Sequence, residues 1–249
     1  MNETLFRVSK HNGEVRSVRT AFEVLEALAA SQEPLGVTEI ARALGITKTR
    51  GYRHLRTLVG SGYVTQDPAT EKYRAGIKLF LLGQRVAGQN SFLSAARKVM
   101  RPLRDAVGHT VTASRIVDGA VEVLDMIRGS SAFEIGTKPG SRFPLDRSAQ
   151  GKLALAFTKG APAKAGTKLH RDVRLARQRG WAVAPEEILR GVNALAAPVF
   201  FADGALAGTI ALVDSLALLP AVPTKKQVSA ILDAARAASR ELGYERKAR

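Results

Sequence analysis

The sequence predicts an α+β protein in two parts joined by a helix: a winged helix-turn-helix over residues 1–75, a linker helix over 76–90 and an α+β domain over 91–249. Three observations predict it. Apolar residues at helical spacing fill the N-terminal part, which ends in a short hairpin. Further on, two pairs of apolar runs flank Asp118-Gly119 and Asp203-Gly204, a dipeptide suited to tight β-hairpins. Helical segments interrupt those strands, and antiparallel strands mixed with helices give an α+β domain.

The first element is Val18 to Ala30 ("VRTAFEVLEALAA"), with Ala21, Val24, Leu25 and Leu28 on one face. After the break at Glu33-Pro34-Leu35-Gly36, Thr38 is expected to cap a short helix bearing Ile40, Ala41 and Leu44, closed by Gly45. The next stretch, Ile46 to Leu58 ("ITKTRGYRHLRTL"), is unrolled at roughly 100° per residue from Leu55. Tyr52, Leu55, Leu58 and Val59 then fall within about 60° of one another's centre and define a buried stripe. Gly51 falls on that stripe, where the missing side chain would let two helices approach closely. His54 lies at its boundary and reads as a structural histidine. Arg50, Arg53 and Thr57 face the other way, flanked by Thr49 and Arg56.

Arginines and threonines are the types that reach guanine edges, thymine methyls and phosphates in a major groove. The segment therefore reads as a recognition helix for double-stranded operator DNA. Its candidate contacts are Thr38, Thr47, Lys48, Thr49, Arg50, Arg53, Arg56 and Thr57. Tyr63 to Gln66, a turn at Asp67 to Thr70, and Lys72-Tyr73-Arg74 form the wing, which adds Lys72 as a weaker candidate beside Thr70 and Glu71.

Ile77 to Gln89 is helical and ends in Gly88-Gln89-Asn90; it reads as the linker. A helix over about Phe92 to Val107 follows, which Pro102 should kink or divide. Strands are expected at Thr110–Val117, Ala120–Ile127, Val192–Phe201 and Leu206–Val213. Helices are expected at Ala149–Phe157, Lys168–Gln178 and Thr224–Leu242, and Glu186-Glu187 reads as the first turn of another.

Composition bounds the function. The net charge of +16 favours polyanions, but residues 1–90 hold 13 Lys/Arg against 8 Asp/Glu, leaving +11 for the remainder. Charge alone therefore does not single out the N-terminal part. With no cysteine, disulfides, zinc-thiolate sites and thiol catalysis are excluded. The N-terminus lacks an apolar secretory region, and Asp203-Gly204 interrupts the apolar run from Val192 to Val213 where a membrane span would need continuity. A cytoplasmic protein with no membrane association is expected. His11, His54, His109 and His170 are scattered without metal-ligand spacing, and neither a phosphate loop nor a nucleophile elbow occurs. Asp118 and Asp214 lie at strand ends without an evident histidine partner. No catalytic residue, metal or cofactor is expected.

Over nearly its whole length the sequence resembles the IclR-type transcriptional regulators. The resemblance lies in "VRTAFEVLEALAA", "LGVTEIARALGITKTRGYRHLRTLVGSGYVTQDPATEKYRAG", "PLDRSAQGKLALAF", "RGWAVAPEEILRGVNALAAPVF" and "GTIALVD". It implies a GAF-like effector domain. It also implies homodimers, often paired as dimers of dimers, that bind operator DNA under control of a small-molecule effector, with repression the expected sense. Such proteins usually carry aliphatic residues where Gly51 and His54 stand, and a longer segment between Phe157 and Trp181. Members that sense small carboxylates commonly carry a cysteine at the position of Ala194 and serines at Ala211 and Val213.

Apolar groups at those three positions remove hydrogen-bond partners that a small hydrophilic acid needs when desolvated. The expected effector has an apolar body such as an aromatic ring. Its polar or acidic end would lie near Ser148, Ala149, Gln150 and Gly151, at a helix N-terminus suited to an anion. An ordinary helix cap is the competing reading of "SAQGK". Two other functions compete: a nucleic-acid module without a metabolite, which the size of the C-terminal half disfavours, and an enzyme with an appended DNA-binding domain, whose activity would survive deletion of residues 1–75.

Overall fold

The structure, a computed structural model, describes residues 15–89, 91–130, 137–158 and 164–245. His11 and Asn90 lie outside them. The chain forms two compact units dividing between Val86 and Ala87.

The first unit holds α1 (Arg16–Ala30), α2 (Val37–Ala43), α3 (Lys48–Gly60) and a hairpin of β1 (Val64–Gln66) and β2 (Tyr73–Ala75). Helical spacing puts Thr20, Val24 and Leu28 of α1 on one buried face. They meet Ile40 of α2, Leu55 and Leu58 of α3, and Val64 and Tyr73 of the wing in one core. The wing pairs antiparallel, with Thr65 opposite Arg74, and Leu35 bridges to Tyr73. The cap of α2 differs from expectation. Gly36 is the N-cap, and its N–H donates to the Glu39 carboxylate at 2.7 Å, so Thr38 sits exposed inside the first turn. The buried stripe of α3 is also displaced. Tyr52 is 52% exposed, whereas Gly51, Leu55 and Leu58 are buried, because α1 and α2 cover α3 from the Gly51–Leu58 side.

The linker helix α4 (Ile77–Gln89) contains the division between units. Within the first unit it exposes Ile77, Phe80, Leu81, Leu82 and Val86, an apolar face without cover.

The second unit is a six-stranded antiparallel sheet in the order β5-β4-β3-β8-β7-β6. Its strands are β3 (Thr110–Val117), β4 (Ala120–Ile127), β5 (Arg142–Pro144), β6 (Ala182–Val183), β7 (Val192–Phe200) and β8 (Leu206–Ser215). The Asp118-Gly119 turn joins β3 to β4, with both turn residues at positive φ. The helices α5 (Ser91–Val107) and α8 (Lys225–Glu241) cover one face, burying Phe92, Met100 and Ile231 against Val111, Leu195, Ile210 and Leu212. On the other face, α6 (Ala149–Phe157) and α7 (Lys168–Arg179) pack on a core built mostly of alanine. Period-two alternation along β7 and β8 separates these two sets.

Three expectations are corrected here. Of the two outcomes expected of Pro102, division does not occur: α5 is one helix with Pro102 inside it. Glu186-Glu187 opens no helix: Glu186 takes positive φ in a turn, where its carboxylate accepts the Gly191 N–H at 2.8 Å. Asp214 does have a histidine partner, His109, whose Nδ1 lies 2.8 Å from Asp214 Oδ2. The other ring nitrogen faces Gln227 at 2.9 Å, and Gln227 belongs to the capping box at the start of α8. These buried groups tie the first residues of β3, the end of β8 and the N-terminus of α8 together. With both ring nitrogens engaged and no nucleophile among the partners, the arrangement is a structural clamp.

Candidate functional site

The sequence of α3 positions a cationic face. Thr47 caps the helix, its hydroxyl accepting the Arg50 N–H at 3.3 Å, and the buried Gly51, Leu55 and Leu58 fix its rotation. Lys48, Thr49, Arg50, Arg53, Arg56 and Thr57 are all exposed, as are Thr38 on α2 and Lys72 on the wing. None of Lys48, Arg50, Arg53, Arg56 and Lys72 makes an ion pair with another described residue. Burial, together with the charges of Arg50 and Arg53, holds the His54 imidazole below its ordinary value. Neighbouring guanidiniums that disfavour one more proton generate a local positive field, the condition for attracting phosphates.

The face is not uniform. Arg50 Nη2 donates to Thr20 Oγ1 on α1 at 3.1 Å, which holds this side chain against the first helix. The Thr57 hydroxyl donates to the Arg53 carbonyl of its own helix at 3.1 Å. Lys48, Thr49, Arg53 and Arg56 remain, and the exposed Tyr52 joins them. The sequence placed Tyr52 in the core; its position at the margin of the stripe was the only signal that it could lie outside.

In the second unit the residues expected near an effector do converge. Ala194 pairs with Val213 across β7 and β8, and Ala196 with Ala211, so all four share one face of the sheet. Ala149 of α6 packs on this face together with Ala196 and Ala211. Ser148 is the N-cap of α6; its hydroxyl accepts the Gly151 N–H at 3.1 Å and donates to the Pro144 carbonyl at 2.7 Å. That is the ordinary cap weighed in the sequence. Gly151 is required, since a Cβ there would collide with the Leu145 backbone.

The same face carries polar groups that sequence reasoning missed. Thr112 of β3 lies opposite Ala211, and Ser114 opposite Thr209. The Thr112 and Ser114 hydroxyls are buried and have no hydrogen-bond partner among the described residues. The alternation Thr110, Thr112, Ser114 along β3 was the available signal, because residues two apart share a face.

Comparison with known proteins agrees with this architecture. Residues 17–68 match the IclR helix-turn-helix domain, and residues 84–240 match the bacterial transcriptional regulator IclR C-terminal domain. The chain belongs to the IclR family of transcriptional regulators. It is 28% identical to the glycerol operon regulatory protein of Streptomyces griseus over 93% of this chain and 98% of that one. It is 26% identical to the regulator KdgR of Escherichia coli over 95% and 96% of the two chains. Among solved structures, HmgR of Pseudomonas aeruginosa superposes with a TM-score of 0.78 at 25% identity, over 92% of this chain and all of that one. An IclR homologue from Microbacterium hydrocarbonoxydans, complexed with 4-hydroxybenzoate, shares the fold with a TM-score of 0.74 at 17% identity, over 91% and 98%.

This IclR-family protein is thus a transcriptional regulator with a helix-turn-helix DNA-binding domain, and not an enzyme. Among its described residues no cluster of side chains could hold a metal, and no helix is long and apolar enough to cross a membrane. Within the family frame Lys152 has a particular place. It follows directly on Gly151 in α6 and is almost wholly buried. Its buried ammonium donates to the Val183 carbonyl at 3.1 Å and pairs with Glu187 at 2.7 Å and Asp172 at 2.9 Å. The exposed Lys168 bridges the same two carboxylates. Burial acts to raise the Asp172 carboxyl, but the hydrogen bonds and charges of the two lysines outweigh it and hold the group below its usual range. Lys152 is therefore committed to internal carboxylates and does not serve as an anion ligand.

Proposed function

We propose that the chain is a homodimeric cytoplasmic repressor that holds operator DNA through α3 and the wing and releases it when an aromatic acid binds beneath the N-terminus of α6. The observation that carries the DNA reading is the cationic outer face of α3, whose lysine and arginines have no ion-pair partner among the described residues while the opposite face is locked into the core. In this reading Thr49, Arg53 and Arg56 meet base edges, with Tyr52 offering its ring to thymine methyls. Lys48, Thr47, Thr57, Thr38 and Lys72 meet phosphates and sugars and set the register. Arg50, anchored on Thr20, contributes charge and stiffens the helix.

Two features support a dimer. The first unit has a cavity of about 1020 Å³ whose lining includes Val18, Phe22, Leu25 and Leu82. Beside it, α4 exposes its apolar face. A second copy would cover both, and two copies read two half-sites; a dimer of dimers extends the same principle. For the effector, the alanine-rich face and Val213 suit an apolar body. The Thr112 and Ser114 hydroxyls, which have no partner among the described residues, together with the Gln150 side chain and the N–H groups of Ala149 and Gln150, suit a polar end. The 4-hydroxybenzoate complex of the Microbacterium homologue supports an effector of this class.

Fluorescence anisotropy on DNA from the region upstream of the gene tests the reading. Tight binding that weakens steeply with salt, and release by 4-hydroxybenzoate or a related aromatic acid, is expected. Release by glyoxylate alone would overturn the effector class, and absence of binding would overturn the repressor.

A further inference from the structure

The second unit has a further cavity, whose lining includes Phe157 of α6 and Pro198 and Phe200 of β7 but none of the residues expected at the effector face. It holds about 560 Å³, within the range of small-molecule sites, and lies between the end of α7, the end of β7 and the last turns of α8. One wall is aromatic. Phe157 and Phe200 meet edge to face with ring centres 5.1 Å apart, and Phe200 and Tyr244 continue the strip at 5.2 Å.

The opposite lining is cationic: Arg177 and Arg179 from α7, Arg236 and Arg240 from α8, against a single carboxylate, Glu245. Arg236 pairs with Asp233 at 3.0 Å. Arg179 is half-buried, with its guanidinium 3.5 Å above the Trp181 ring and its Nε donating to the Trp181 carbonyl at 2.8 Å. Neither Arg177 nor Arg240 has an ion-pair partner among the described residues. Arginines in last helical turns complement the helix dipole. That role explains each residue singly. It does not explain why the basic turns of two helices converge on one aromatic strip with an open cavity between them.

We infer that this cavity is a second ligand site, distinct from the effector face, that takes a planar organic anion: an aromatic body of about two rings bearing a carboxylate or sulfonate. The rings would stack on Phe200 and Tyr244, where offset and edge contacts are favourable. The anionic group would be held by the planar, multiply donating guanidiniums of Arg177 and Arg240, which match its geometry. Binding would relieve the concentration of like charge that the arginines now share.

The test uses 8-anilinonaphthalene-1-sulfonate as the probe, titrated into the folded full-length chain and followed by its fluorescence. One saturable site per chain is expected, displaced competitively by 2-naphthoate. An Arg177→Gln/Arg240→Gln double variant should weaken binding about tenfold or more, since two charge-assisted contacts are lost. Because neither arginine has an ion-pair partner among the described residues, the variant should keep the wild-type circular dichroism, with the melting temperature lowered only slightly by the lost helix-dipole contacts. A Phe200→Leu variant, retaining bulk without the ring, should weaken the probe by a smaller factor. No saturable binding to the wild type would overturn the proposal. So would equal affinity in wild type and folded double variant, which would place the probe elsewhere.

Discussion

Replacing Gly51 by alanine tests how α3 packs on α2. The sequence suggests that the glycine permits an unusually close approach, which would make any side chain harmful. The structure buries Gly51 on the face predicted but leaves space there. A Cβ would meet Val37 Cγ2 at 3.7 Å, Ala41 Cβ at 3.8 Å and Ile46 Cδ1 at 3.8 Å, all ordinary van der Waals contacts. Alanine should therefore gain the helix-propensity difference of about 1 kcal/mol. A fraction of the ~0.8 kcal/mol for one buried methyl adds to it. The expected gain is about 1–1.5 kcal/mol, part of it through the unfolded chain. For a domain of this size roughly 4–8 °C of melting temperature accompany each kcal/mol. Thermal and urea unfolding of wild type and Gly51→Ala, followed by circular dichroism, would measure it, with DNA affinity unchanged. A loss of stability would refute the reasoning and restore the close-approach reading.

Other perturbations probe the second unit and the pH response. Lys152→Met leaves Asp172 and Glu187 facing each other with only the exposed Lys168 between them, and should cost about 3–5 kcal/mol in urea denaturation; a loss below about 1 kcal/mol would show that Lys168 suffices. Asp214→Asn weakens the clamp on His109 and should cost about 1–3 kcal/mol, seen as a lower urea midpoint at unchanged slope. His54 has a depressed folded-state value, so its contribution is complete above its unfolded value of about 6.5 and declines as the pH falls below it. Between about pH 7.5 and 5.5 the wild type should lose more melting temperature than His54→Gln; equal losses would contradict this linkage.

The fold was largely legible because its signals are local. The Asp118-Gly119 turn marked the β3–β4 hairpin, and Ser148 and Thr224, whose hydroxyls cap their helices, marked two helix starts. Less legible were features decided across the chain. Tyr52 and Leu58 flank Leu55 symmetrically on a helical wheel, but only the positions of α1 and α2 determine which of them is covered. The β5 and β6 strands have three and two residues, too short for any periodicity, and exist because β4 and β7 offer edges. His109 and Asp214 are joined by sheet register over 105 positions, which spacing cannot reveal. The candidate sites divide in the same way. Exposed cations on α3 follow from one helix, whereas the meeting of Thr112 with Ala211 depends on two strands far apart in sequence.

The central claim, that the outer face of α3 reads operator sequence, is tested most directly by comparing Arg53→Ala with Lys72→Ala on the operator and on a scrambled duplex of equal length. Arg53→Ala is expected to lower the preference for the operator by about 1–3 kcal/mol, while Lys72→Ala weakens both duplexes alike. An Arg53→Ala protein that keeps the full wild-type preference would contradict it.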